Sequence, residues 1–387
     1  MKWKKIIGGL VAATCFLPFA HSTFAQADGL VTESKSAVLI EVETGRVLYE
    51  KDMHKQLEPA SMTKMMGMYL ILEAIENGLL DWEEMLTVSE NAAALGGSQV
   101  YLKPGEEMSV RDLFKSVAIA SANDSITALG ERVAGSEARF IELMNEKARE
   151  LGMVNTTFKN PTGLSAEGHI TTSYDMSLLA RALILDFPGV IEFTSMYDDY
   201  IRTDTESPFW LVNTNKLLKS NLGVDGLKTG FTQRAGYCLT ATAARDGMRV
   251  ISVVMGAPKS DVRNREIAAL IGQAFDQYEL IRKIDADFVV ETGYNMLARQ
   301  RSYEIVTMES ISVLKSRVES NEESSIEIEI FEDVQLPIEP GTEIGKLTYF
   351  YNGEEYRQIG LTVSETVEKN SFIGLFSYIV SQLLFGE

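Results

Sequence analysis

The chain has 387 residues, 45% hydrophobic and 24% charged, the balance of a folded globular protein with length enough for two domains. A net charge of −19 argues against nucleic acid as a partner, because there is no basic stripe to replace phosphate counterions. Cys15 lies in the first 27 residues and Cys238 is the other cysteine, so an exported chain trimmed of that segment has no internal disulfide.

In chain order, Met1–Ala27 reads as a signal peptide. Lys2, Lys4 and Lys5 are its charged start and Ile6–Ala20 its apolar stretch. Ala25-Gln26-Ala27 or Thr23-Phe24-Ala25 offers small residues for cleavage. The apolar stretch is shorter than the ~20 residues of a membrane span. Ser36–Val42 and Val47–Tyr49, joined through Gly45, predict a β-hairpin.

Glu58-Pro59-Ala60-Ser61-Met62-Thr63-Lys64 then leads into the apolar run Met65–Ile75. Pro59 suits the first turn of a helix and Asn77-Gly78 its end; the residues between are apolar on nearly every face, as in a helix buried on all sides. Ser61 and Lys64, three apart, project from one side of the first turn. A serine at a helix start sits in positive potential, and an amine one turn away can take its proton. By themselves these residues also fit a capped helix with a surface lysine.

The pattern stays mostly helical to about residue 190. Capping residues Ser109 and Thr172 open helices reaching toward Ala120 and Leu185, and Asp124–Ala134 and Glu137–Leu151 read as two more. Strands return at Leu227–Thr232, Gly236–Ala244 and Met248–Ala257, with Asp246-Gly247 as a hairpin turn, and a helix follows over roughly residues 263–280. Strands at both ends with helices between predict an α+β domain whose antiparallel sheet joins both ends, over residues 28–281. Residues 282–368 read as a small all-β domain: Ile326–Ile330 alternates strictly and Asn352-Gly353 marks a hairpin. Residues 369–387 form an amphipathic tail. Asn370, Gly374, Ser377 and Ser381 make one narrow polar stripe, and ~24 Å of helix is too short for a ~30 Å hydrocarbon core. Ser371–Phe385 is therefore expected to lie in a membrane interface, or else to dock on the protein itself. The absence of Lys or Arg after Lys369 counts against the membrane.

Two further fragments bear on chemistry. Ser121-Ala122-Asn123 falls in a break between helices and Lys228-Thr229-Gly230 opens a strand. Alone, the first could be an N-cap and the second a strand end. Together with Ser61-x-x-Lys64, in this order, they form the signature of active-site-serine β-lactamases and penicillin-binding proteins. The sequence resembles the low-molecular-mass penicillin-binding proteins, the serine D-alanyl-D-alanine carboxypeptidases. Gly96-Gly97-Ser98-Gln99, Asn160-Pro161-Thr162-Gly163-Leu164, Tyr174-Asp175-Met176 and Val224–Gly230 also look like blocks of that family. The outline is similar to the carboxypeptidases of endospore-forming Gram-positive bacteria, some of them sporulation-linked.

The resemblance implies a β-lactamase/transpeptidase-like fold, an exported enzyme held peripherally at the outer face of the cytoplasmic membrane, peptidoglycan stem peptide as substrate, acylation by β-lactams, and no cofactor or metal. Ser61 is expected as nucleophile. Outside the signal peptide the chain has His54 and His169 as its histidines, so a Ser-His-Asp triad would need one of them; otherwise Lys64 is the base. Ser121 is expected to relay the proton and Asn123 to hold the substrate amide. Lys228 and Thr229, on the strand that continues into Gly230, are expected to meet the terminal carboxylate, with Arg263 added by the resemblance. The N–H groups of Ser61 and Phe231 would form the oxyanion hole. The rival readings are a class A-like β-lactamase, which would need a deacylating Glu such as Glu167, a DD-endopeptidase or transpeptidase variant, and a non-catalytic wall-binding protein.

Overall fold

The computed structural model describes residues 29–318 and 322–385. The expected signal peptide at 1–27 lies outside the described residues. The described chain divides into two compact units at Gln277/Tyr278.

In the first unit, β1 (Ser36–Glu41) and β2 (Val47–Lys51) form the expected hairpin. A 3-10 turn, Ala60–Thr63, runs into α1 (Lys64–Glu76). The next elements are β3 (Met85–Thr87), α2 (Glu90–Ala93), β4 (Glu107–Ser109), α3 (Val110–Ala120), α4 (Asn123–Ala134), α5 (Glu137–Glu150), α6 (Ser173–Asp186) and α7 (Val190–Thr194). Then come β5 (Asp198–Ile201), β6 (Phe209–Val212), a 3-10 turn at Lys216–Lys219, β7 (Val224–Thr232), β8 (Gly236–Arg245), β9 (Met248–Ala257) and α8 (Ser260–Gln277).

The main sheet is antiparallel, in the order β2-β1-β9-β8-β7. Val38 opposite Val253 seals the two ends of the domain into one sheet, as expected of this α+β class. All six residues of β1 are buried, and α6 and α8 pack on the β8–β9 region. β7 is left as an edge, with one side of its backbone free to pair. α1 runs through the core: Lys64 to Leu72 are all buried. It meets α4 so closely that a Cβ on Gly67 would lie 2.6 Å from Ile126 Cδ1. Ser109 and Thr172 cap α3 and α6 as expected, accepting from the N–H groups of Asp112 at 3.1 Å and Asp175 at 3.0 Å. Such caps are worth ~1 kcal/mol each. The pairs β3–β4 and β5–β6 were not expected from sequence; strands of three or four residues show too little alternation to be read.

The second unit contains β10 (Tyr278–Ile284), β11 (Val289–Tyr294), β12 (Ser302–Thr307), β13 (Ile311–Ser316), β14 (Ser324–Ile330), β15 (Gly345–Tyr351), β16 (Glu354–Val363) and α9 (Phe372–Phe385). β10 therefore begins where the sequence predicted the last turn of the preceding helix. β10 pairs with β13, and a five-stranded sheet runs β11-β12-β16-β15-β14. Ile305, Ile311, Val313, Leu347, Ile359 and Leu361 fill its core. Asn352 (φ 52°) and Gly353 (φ 81°) make the expected turn between β15 and β16. Among the described residues no helix is long and apolar enough to cross a membrane.

Candidate active site

The site begins at the bend that precedes α1. Ala60 sits in the left-handed region at φ 48°, and Ser61 stands half-buried in the 3-10 turn between buried Ala60 and Met62. The sequence predicted an α-helical first turn here. In the 3-10 form side chains at i and i+3 eclipse, which aligns Ser61 with Lys64 directly. Lys64 Nζ donates to Ser61 Oγ at 3.1 Å and to the Thr162 carbonyl at 2.7 Å. The amine is fully buried. Burial, and next the charge of Lys228, hold its pKa well below the ordinary lysine value, with Asp124 opposing. A buried amine so disposed can remain neutral and accept the serine proton.

The loop carrying Thr162 is shaped by Asn160. Its Oδ1 accepts from the Thr162 N–H (3.2 Å), the Thr162 hydroxyl (2.9 Å) and the Gly163 N–H (2.7 Å). Gly163 has φ 83°, and a Cβ there would lie 1.9 Å from the Ala60 carbonyl oxygen. The Ser61 turn and this loop are thus locked back to back. Sequence reasoning singled out Asn160–Leu164 as a block but assigned it no task.

Neither histidine serves Ser61. His169 Nδ1 accepts from the Lys159 N–H at 3.0 Å, so Nε2 carries the proton and donates to Thr63 Oγ1 at 2.8 Å. Burial pushes this imidazole's pKa down to about 4. His54 is exposed, its ring edge-on to Tyr174. Glu167 is also exposed, which does not suit a deacylating base.

Ser121 ends α3 in the left-handed region at φ 63°, and Asn123 opens α4. The N-cap of α4 is Ala122, so the capping alternative for this triplet does not hold. Asn123 is pinned by its N–H to the Ser98 carbonyl (2.7 Å) and by Nδ2 to the Gly96 carbonyl (2.7 Å). Its Oδ1 and the Ser121 hydroxyl are buried without a hydrogen-bond partner among the described residues. Buried polar atoms are normally satisfied, so these two, on residues two apart in sequence, keep hydrogen-bonding capacity that the protein does not use: an acceptor on Asn123 and a donor or acceptor on Ser121. Asp124 holds the 96–102 loop through the N–H groups of Val100 (3.0 Å) and Leu102 (3.1 Å).

β7 supplies the opposite wall. A Cβ on Gly230 would lie 2.8 Å from the Pro59 carbonyl oxygen, so β7 runs directly against the Ser61 turn. Lys228 is fully buried, and burial followed by the charge of Arg263 brings its pKa down to about 7. Thr229 Oγ1 lies 2.6 Å from Thr214 Oγ1, and the Thr214 N–H donates to the Ile119 carbonyl at 3.4 Å. Thr214, which the sequence reading did not single out, therefore ties β7 to the end of α3. Phe231 is half-exposed, its ring over Tyr237 at 4.3 Å. Arg263, on α8, is buried and reaches the Cys238 carbonyl at 3.3 Å. Cys238 is the partner of Gly230 across β7–β8, so Arg263 arrives one strand away from Lys228 and Thr229. Among the described residues no group of three or more His, Cys, Asp or Glu could hold a metal ion.

A serine and a buried lysine beneath the edge strand of an antiparallel sheet, with Lys-Thr-Gly on that edge, is the outline of a penicillin-binding protein. The pattern of the family described as D-alanyl-D-alanine carboxypeptidase matches residues 22–259, and that of the penicillin-binding protein 5 C-terminal domain matches residues 278–369. The D-alanyl-D-alanine carboxypeptidase DacF of Bacillus subtilis is 43% identical over 375 residues, covering 96% of each chain. Penicillin-binding protein 5 of Haemophilus influenzae superposes with a TM-score of 0.72 at 28% identity, over 87% of this chain and 98% of that one. Penicillin-binding protein D2 of Listeria monocytogenes, solved in its ampicillin-bound form, gives 0.58 at 38% identity, over 64% of this chain and 99% of that one. The chain belongs to the D-alanyl-D-alanine carboxypeptidase family of serine hydrolases.

Proposed function

We propose that this chain removes the terminal D-alanine from peptidoglycan stem pentapeptides through an acyl-enzyme on Ser61. One geometry carries the reading: a fully buried Lys64 amine with depressed pKa, 3.1 Å from Ser61 Oγ. Lys64 takes the Ser61 proton as Oγ attacks the penultimate D-alanine carbonyl. The N–H groups of Ser61 and Phe231 receive the oxyanion. Ser121, whose hydroxyl has no other partner among the described residues, passes the proton to the leaving D-alanine amine. Water then cleaves the ester and restores Ser61.

The substrate backbone adds as a strand to the free edge of β7. Asn123 Oδ1 accepts from its amide. Lys228 and Thr229 meet the terminal carboxylate, and Arg263, on α8 and bonded to the β8 carbonyl of Cys238, supports them with positive charge. A β-lactam enters by the same attack, but its amine stays tethered to the acyl group. This chemistry belongs outside the cytoplasm, which fits a signal peptide at 1–27, a catalytic domain over 28–281, an all-β domain over 282–368 and the tail at 369–387. Ser371–Phe385 would lie in the membrane interface. The test is release of free D-alanine from a soluble pentapeptide. The parent should release it, and Ser61→Ala should release none while keeping its fold. A folded parent that releases none, or an active Ser61→Ala, would overturn the proposal.

A further inference from the structure

The second unit ties the segment leading into α9 to the turn between β11 and β12. The Asn370 N–H donates to the Leu297 carbonyl at 2.8 Å, and the Arg299 N–H donates to the Glu368 carbonyl at 2.8 Å. Ala298 and Lys369 form an antiparallel bridge between them. These bonds hold the turn between β11 and β12 beside the root of α9.

Both pieces expose large apolar side chains. Tyr294 at the end of β11 and Met296 and Leu297 on the turn are 78%, 67% and 52% exposed, and Phe372, Ile373 and Phe376 on α9 are 84%, 80% and 62% exposed. Apolar side chains gathered like this on a soluble surface mark a docking site. The charges woven through the junction are mostly basic. Residues 294–301 and 365–373 carry Arg299, Arg301 and Lys369 against Glu365 and Glu368, in a chain whose net charge is −19. Glu368 is itself engaged by Arg299 at 2.9 Å. From Ser371 to Gly386 there is no charged residue. Aromatic and aliphatic side chains beside a basic rim are the make-up of an interfacial anchor.

We infer that the β11–β12 turn and α9 form a single lipid-docking face for a bilayer containing anionic phospholipid. Tyr294, Met296 and Leu297 enter the headgroup region next to the first turns of α9, and the exposed Arg299 and Lys369 lie at the level of the phosphates. The inference rests on the interfacial placement of α9 proposed above and extends it, because the membrane is then gripped by the second domain itself. The fold also supplies the basic flank that the tail sequence lacks, so binding weakens as salt is raised.

The test is flotation of the chain lacking residues 1–27 with vesicles of phosphatidylglycerol and phosphatidylethanolamine. The parent should float. The double variant Met296→Ser, Leu297→Ser should bind about tenfold more weakly or worse, with hydrolysis of a soluble pentapeptide unchanged. A chain ending at Lys369 should stay at the bottom. If the double variant floats like the parent, the turn is outside the membrane; the inference fails and anchoring by α9 stands. If the parent does not float, the placement of α9 fails and the inference with it. Independently, Trp fluorescence of Tyr294→Trp should shift to the blue when vesicles are added, and an unshifted spectrum would overturn the inference.

Discussion

The Thr214 hydroxyl lies 2.6 Å from that of Thr229, and the Thr214 N–H holds the Ile119 carbonyl two residues before Ser121. One residue thus joins the two walls of the cleft. Thr214→Val should leave the fold intact and weaken first-encounter binding of a carboxylate-bearing β-lactam about tenfold, the worth of one hydrogen bond to a positioned group. The subsequent acylation step should change less. Thr214→Ser should restore binding. Stopped-flow titration with a fluorescent penicillin separates the two steps, and a loss that Ser does not rescue would mean Thr214 acts only through packing.

The two buried lysines make opposite demands on pH. Neutral Lys64 is favoured above its depressed pKa, and charged Lys228 is favoured below about 7. The second-order acylation constant should therefore rise and then fall with pH. Lys228→Arg keeps its charge across this range, so in that variant the alkaline limb should disappear. Persistence of the limb would remove Lys228 as its origin.

His169 should limit acid stability. Its pKa is about 4 when folded, against ~6.5 unfolded. The unfolded chain therefore binds more protons between those values, and stability falls as pH drops from ~6.5 toward ~4, by up to about 3 kcal/mol. His169→Gln has no such group. Thermal melts across this range should show the parent losing more stability than the variant; parallel curves would contradict the assignment.

Gly163→Ala should be among the most damaging single methyl additions in the chain. The new Cβ meets the Ala60 carbonyl at a backbone angle that favours glycine. A loss of about 3 kcal/mol or more in chemical denaturation is expected. Acylation should fall with it, because the Thr162 carbonyl would leave Lys64. A variant of parental stability and activity would show that the loop yields freely.

These cases mark what could be read before the structure. Ser61 and Lys64 were legible because their relation is local, three residues along one turn. Ser121, Asn123 and Lys228 stood out as triplets in that order, and their tasks are part of the proposal above. The Thr162 contribution was not, because a backbone carbonyl leaves no trace in residue type. Thr214 was not, because its contact with Thr229 exists only once β7 lies beside the end of α3. The 3-10 form of the Ser61 turn was hidden for a similar reason: it follows from the close approach of Gly163 and Gly230 to residues 59–60, not from helix propensity.

The central claim is that Lys64 activates Ser61 for acyl transfer. Mass spectrometry of the intact protein after exposure to penicillin tests it most directly. The account predicts one penicilloyl adduct, located on Ser61 by peptide mapping and persisting for minutes or longer. In folded Lys64→Arg protein it predicts adduct formation slower by orders of magnitude, because the guanidinium holds its proton. An adduct elsewhere, or acylation of the Lys64→Arg protein at the parental rate, would contradict it.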